Sequence, residues 1–107
     1  MIQITYNRRR HRLTAKGHAG SGRKGHDLVC ASVSALVLTL AANVASLATA
    51  DNVRRHVLRV QEGDAWISCV PAPKMQAVVT LIFDTVCSGF ELLETLYPEN
   101  ICYAVVE

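Results

Sequence analysis

His18, His26, Asp27 and Cys30 fall in one short stretch, Gly17 to Leu36, which reads GHAGSGRKGHDLVCASVSAL. Asp27 stands where a helix N-cap belongs, directly before a long uncharged apolar run. Cys30 is then the third residue inside that helix. The partial positive charge and unpaired N–H groups of a helix N-terminus favour a thiolate over a thiol. His18 closes the preceding strand, and an imidazole brought beside the first helical turn makes a thiolate–imidazolium pair. Such a pair attacks a carbonyl and returns the proton to the leaving group. Free N–H groups near Cys30 are expected to receive the oxyanion. The bland alternatives are a buried apolar Cys, a surface His and an Asp that only caps. Cys69, Cys87 and Cys102 fit the buried, inert reading. His11 and His56 lie in strand-like runs with no evident partner, and His26 sits in the loop within reach of Cys30.

Other motifs compete for the same glycines. Gly20, Gly22 and Gly25 match G-x-G-x-x-G between a strand and a helix. The upstream strand belongs to a hairpin, though, and Asp27 places a carboxylate where a pyrophosphate would sit. A chain of 107 residues also leaves no room for two mononucleotide halves. A P-loop fails because Arg-Lys-Gly follows Gly22. His18, His26 and Cys30 match no common zinc spacing and lack a fourth ligand, so neither metal nor cofactor is expected.

The elements that position these residues are read from periodicity. Ile2, Ile4 and Tyr6 alternate with polar residues, and His11 to His18 continues the alternation, which predicts a hairpin. Residues 20–26 read as a mobile glycine loop. Leu28 to Ala50 is uncharged for 23 residues. Val29, Val33, Leu36, Leu40, Val44 and Leu47 form its stripe, and scattered polar residues predict burial on more than one side. The run is long enough to span a bilayer, but its Ser, Thr, Asn and Ala content and its strand-like preamble argue against membrane or export.

Arg54–Gln61 and Ala65–Val70 form a second hairpin around Glu62-Gly63-Asp64. Lys74 to Leu96 is an amphipathic helix with Met75, Val78, Val79, Ile82, Val86, Leu93 and Leu96 on one side, ended by Tyr97-Pro98. Ile101 to Val106 is a last strand. The expected architecture is a single α+β domain over residues 1–107, in the order ββαββαβ. Its mostly antiparallel sheet has about five strands, with two helices packed on one face.

Half of the residues are hydrophobic and the net charge is +2, so composition excludes disorder. The charge is unevenly placed: seven of eleven Lys and Arg lie between Arg8 and Lys24, before the first acid at Asp27. That segment supports a second class of function, a non-catalytic RNA-associated binding module. Four cysteines without a C-x-x-C pair, and no signal-like start, read as free thiols in a reducing cytoplasm.

Gly17-His18-Ala19, Gly25, Asp27, Val29-Cys30-Ala31 and Val33-Ser34-Ala35-Leu36 together resemble the signature of the ribosomal-processing cysteine protease family, Prp. The Gly-Asp hairpin, the Glu-Leu-Leu-x-x-Leu-Tyr-Pro helix end and the final strand follow in the same order. The resemblance implies a cysteine endopeptidase that removes the N-terminal extension of a bacterial large-subunit ribosomal protein, the one numbered twenty-seven. That extension typically ends in aromatic residues. The resemblance makes His18 the general base and Cys30 the nucleophile, with Asp27 and Ser34 in support. Ser34 lies one turn beyond Cys30 on the same helix face. Ala19, Gly20, Gly22, Gly25 and His26 would close over the peptide. A cytoplasmic homodimer is implied, with the sheet face away from the helices and Trp66 as the pairing surface. The loop is more glycine-rich and basic than the family pattern, which bears on sequence preference.

Overall fold

The computed structural model describes residues 1–18 and 27–107. Five strands and two helices follow in the order ββαββαβ: β1 (Ile2–Asn7), β2 (Arg12–Gly17), α1 (Leu28–Thr49), β3 (Val53–Gln61), β4 (Asp64–Pro71), α2 (Gln76–Leu96) and β5 (Ile101–Val106). A single 3-10 turn at Pro73–Met75 leads into α2. The sheet order is β3-β4-β2-β1-β5. Every neighbouring pair is antiparallel except β1 with β5, which is parallel. The α+β expectation holds, as a mixed sheet.

Alternation explains which face is covered. Ile2, Ile4 and Tyr6 of β1, Leu13 and Ala15 of β2, and Ala65, Ile67 and Cys69 of β4 are all buried. Residues directly opposite across a sheet share a face. The register sets Tyr6 against Leu13, Leu13 against Ile67, and Ala15 against Ala65. These residues form the floor on which both helices lie.

Burial on α1 follows one stripe: Val29, Val33, Val37, Leu40, Val44 and Leu47. Expected burial on several sides is thus corrected, and Val37 takes the place assigned to Leu36. Leu36 is half-buried instead, its side chain filling the space at Gly89 of α2. The stripe of α2 is Val79, Phe83, Cys87, Phe90 and Leu93. Val78 and Leu96, expected inside, are exposed. Phe83 and Phe90 set the rotation because aromatic side chains bury the most area. Both helices are long and apolar enough to cross a membrane by length and composition. In this fold each lays its apolar stripe on the sheet.

His11 is a second correction. It lies in the turn before β2, with φ of 48°. It is buried, and its Nε2 lies 2.7 Å from Thr80 Oγ1. Its ring meets Phe83 edge-on. Beside it, Tyr6 donates to Asp84 Oδ1 at 2.8 Å, and Arg8 forks onto both oxygens of Asp84 at 3.0–3.3 Å. Part of the basic segment is therefore spent on fastening β1 to α2. Cys102 departs from the buried reading as well. It is exposed because alternation along β5 turns it away from Ile101 and the core.

Two predictions follow from this end of the molecule. Asp84→Ala strands the buried Tyr6 hydroxyl and frees Arg8, and should lower stability by about 1–2 kcal/mol in urea unfolding. For His11, burial foremost and then Arg8 hold the ring below its ordinary range, partly opposed by Asp84. The unfolded chain therefore takes up the proton first, and stability should fall as pH drops through about 6.5. His11→Asn tolerates the left-handed backbone and does not titrate. Denaturation midpoints between about pH 7.5 and 5.5 should decline less steeply in His11→Asn than in wild type.

Candidate active site

β2 ends at Gly17, and three segments meet there. The Gly17 N–H donates to the Gly63 carbonyl at 3.0 Å, and the Met1 nitrogen donates to the His18 carbonyl at 2.6 Å. Gly17 has φ of 106°, and a Cβ there would collide with the Met1 carbonyl. Only glycine meets both demands. The backbone bearing His18 is thus gripped on one side by the start of β1 and on the other by the β3–β4 turn.

The imidazole of His18 rests on that turn. Glu62 and Gly63 link Gln61 to Asp64, and Gly63 adopts φ of 72°. A Cβ on Gly63 would fall within van der Waals distance of His18 Nε2, so the ring occupies the space a side chain would fill. The sequence shows the glycine turn. Its role as the seat of His18 emerges only from the register that brings β4 beside β2.

Across from His18 stands the first turn of α1. Asp27 is the N-cap, and its Oδ1 accepts from the N–H groups of Val29 and Cys30, both at 3.0 Å. The Ala31 N–H donates to the Asp27 carbonyl. These first-turn donors are engaged, which corrects the expectation of free oxyanion donors beside Cys30. An oxyanion reaches the Val29 and Cys30 N–H groups only by displacing the Asp27 carboxylate.

His18, Cys30, Asp27 and Ser34 all line one groove of about 810 Å³. Its apolar wall includes Val33, Val37 and Leu38 of α1, and Ile2, Val60 and Ala65 of the sheet. Glu62 and Asp64 add carboxylates at the turn, and Asp64 pairs with Arg59 at 3.3 Å. Ala19, Gly20, Gly22, Gly25 and His26 lie outside the described residues.

The four thiols are not equivalent. Burial pushes the Cys69 thiol up to about 11 and the Cys87 thiol up to about 12, so both stay protonated. Cys102 is exposed on β5, in a separate shallow depression. Cys30 is half-buried and is the one cysteine of the groove.

A half-buried thiol at a capped helix start thus shares one groove with an imidazole on this α+β sheet. The family model described as cysteine protease Prp matches residues 1–102, and the chain belongs to that family. A ribosomal processing cysteine protease Prp of Mycoplasma pneumoniae is 49% identical over 37 residues. That match spans only about a third of the curated relative, 35% of its length and 35% of this chain.

Two crystal structures of an essential ribosomal processing protease Prp from S. aureus are similar over nearly the whole chain. One, with a covalently linked product peptide, shares 26% identity at a TM-score of 0.73, covering 97% of this chain and 96% of that one. The other, with a substrate peptide, shares 25% identity at a TM-score of 0.68, covering 98% and 99%.

The seat of His18 is open to test. Gly63→Asn tolerates a left-handed backbone but fills the space under the ring, whereas Gly63→Ala adds roughly 1 kcal/mol of backbone strain. Both should shift the imidazole resonances of His18 in two-dimensional NMR while those of His56 stay in place. Unchanged His18 resonances in Gly63→Asn would show that the ring does not rest on the turn.

Proposed function

We propose that this chain is a cysteine endopeptidase, with Cys30 as nucleophile and His18 as general base and later general acid. The observation that carries the reading is the groove, where Cys30, alone among the four cysteines, lies with His18. The Cys30 thiolate adds to the scissile carbonyl. Collapse expels the amine, which takes its proton from the His18 imidazolium. Water, deprotonated by His18, then releases the acyl group. Asp27 fixes the helix start, and hence the height of Cys30 in the groove. Ser34, exposed on the next turn, faces the same groove.

The proposed substrate is the N-terminal extension of the bacterial large-subunit ribosomal protein numbered twenty-seven. The similar S. aureus ribosomal processing protease, in complex with product and substrate peptides, supports a ribosomal processing role and a peptide substrate. The apolar wall of Val33, Val37, Leu38 and Val60 suits aromatic residues ahead of the scissile bond. Cytoplasmic residence fits both the free thiols and such a substrate. Residues 19–26 are the segment proposed to close over the peptide.

A homodimer remains part of this reading, but its surface shifts. Trp66 is flanked by two guanidiniums on the open sheet face. The outer side of α2, with Val78, Leu81, Leu92 and Leu96 exposed, suits self-association better.

Digestion of the ribosomal protein's N-terminal peptide, read by mass spectrometry, checks the assignment. Wild type should make a single cut. Cys30→Ala should make none, and His18→Ala should slow the cut by roughly 10²–10⁴. A cut that persists in Cys30→Ala removes the nucleophile assignment.

A further inference from the structure

The sheet face turned away from the helices carries a charge pattern that the proteolytic reading does not use. Cross-strand register shows which side chains share it. Arg12 lies opposite Ser68, Thr14 opposite Trp66, and Lys16 opposite Asp64. On the far side of β4, Arg55 lies opposite Val70, Arg59 opposite Trp66, and Gln61 opposite Asp64. Arg12, Lys16, Arg55 and Arg59 thus share one face with Trp66 and a single carboxylate, Asp64. Across β1, Gln3, Thr5 and Asn7 continue that face without charge. Lys16, Arg55 and Arg59 are exposed. Residues far apart in sequence are gathered here, so the patch is invisible as a run.

Trp66 is the centre of the patch. The Arg12 guanidinium lies 4.6 Å from its ring centroid, and that of Arg59, which also pairs with Asp64 at 3.3 Å, lies 5.8 Å away. The indole Nε1 donates to Ser68 Oγ at 3.1 Å, which fixes the ring on the sheet. Arginines held over an aromatic ring keep their charge while losing side-chain freedom, so a later anion meets preorganised donors. Two copies of such a face repel one another, which disfavours self-pairing here.

We infer that this open face binds single-stranded RNA. The cations complement a phosphate backbone, and planar indole and guanidinium groups on a sheet offer stacking surfaces for unpaired bases. Shape argues against reading a duplex through its major groove. Five strands at about 4.8 Å spacing make a face roughly 19 Å wide. A B-form major groove is about 12 Å wide, and the A-form major groove is narrower still. A single strand meets no such barrier. Lys16 adjoins Gly17 and His18, and Asp64 lines the groove, so the RNA face borders the mouth of the active site. On the proposed reading of a ribosomal-protein substrate, RNA held there would keep the groove next to a peptide displayed beside ribosomal RNA.

Trp66 is the chain's one tryptophan, so its fluorescence reports on this face directly. The full chain is titrated with a labelled oligouridylate and followed by anisotropy and by Trp66 emission. Binding should quench Trp66, and affinity should fall roughly twenty- to fifty-fold between about 50 and 200 mM salt, as for release of three to four counterions. Lys16→Gln combined with Arg55→Gln should weaken binding at least about tenfold with an unchanged circular dichroism spectrum. Arg9→Gln combined with Arg10→Gln, in the exposed β1–β2 turn, should leave it within about twofold. Binding without Trp66 quenching, equal affinity for duplex RNA, equal competition by polyglutamate, or loss only in the Arg9–Arg10 variant would each overturn the proposal.

Discussion

The position of His18 is set by its backbone. Strand β2 ends between two neighbours: the Gly17 N–H donates to the Gly63 carbonyl, and the His18 carbonyl accepts from the Met1 nitrogen. A backbone held at Gly17 on one side and at the His18 carbonyl on the other has little freedom to turn, so the His18 side chain leaves the sheet in a fixed direction. The imidazole then lands on the one position in the β3–β4 turn that has no side chain. The bare position at Gly63 gives the ring a steric seat. Register is the underlying constraint. A one-residue slip of β4 against β2 would turn Trp66 into the core and Ile67 out of it, and would carry Gly63 away from His18. Core burial and site geometry are therefore specified by the same alternation.

The partner side chain depends on a helix with an unusual composition. α1 has 22 residues and no charge, and no acidic residue stands in its first turn. Asp27 alone satisfies Val29 and Cys30, so the helix start and the Cys30 position are one feature. A carboxylate at this place also takes up the positive end of the helix dipole, which would otherwise favour a thiolate. The cap thus gives α1 a well-defined start at the turn bearing Cys30.

Much of this was legible in the sequence because it is local. Period-two runs located the strands, Asp27 announced the cap, and the distance from cap to Cys30 put the thiol in the first turn. The α2 stripe was misjudged at Val78 and Leu96 because Phe83 and Phe90 rotate the helix, and a count of aliphatic positions gives them too little weight. His11 looked unpartnered because Thr80 is 69 residues away and a hydrogen bond at that separation leaves no periodic trace. Gly63 was legible as a turn and illegible as a seat, since nothing in its own hairpin mentions His18.

The basic segment shows why charge along a chain differs from charge on a surface. Read linearly, Arg8 to Lys24 is a single block of seven cations. Folding divides it. Arg8 is consumed by Asp84, while Arg12 and Lys16 go to the open face by alternation. There they meet Arg55 and Arg59 from a strand about forty residues later, which linear reading assigns to an unrelated hairpin. The resulting patch is denser than either half, and Trp66 lies beneath two of its guanidiniums. A fully solvated lysine block would exchange its counterions with little specificity. Guanidiniums fixed over an indole keep one spacing, and a fixed spacing is what lets a flat sheet distinguish a flexible strand of phosphates from a diffuse polyanion.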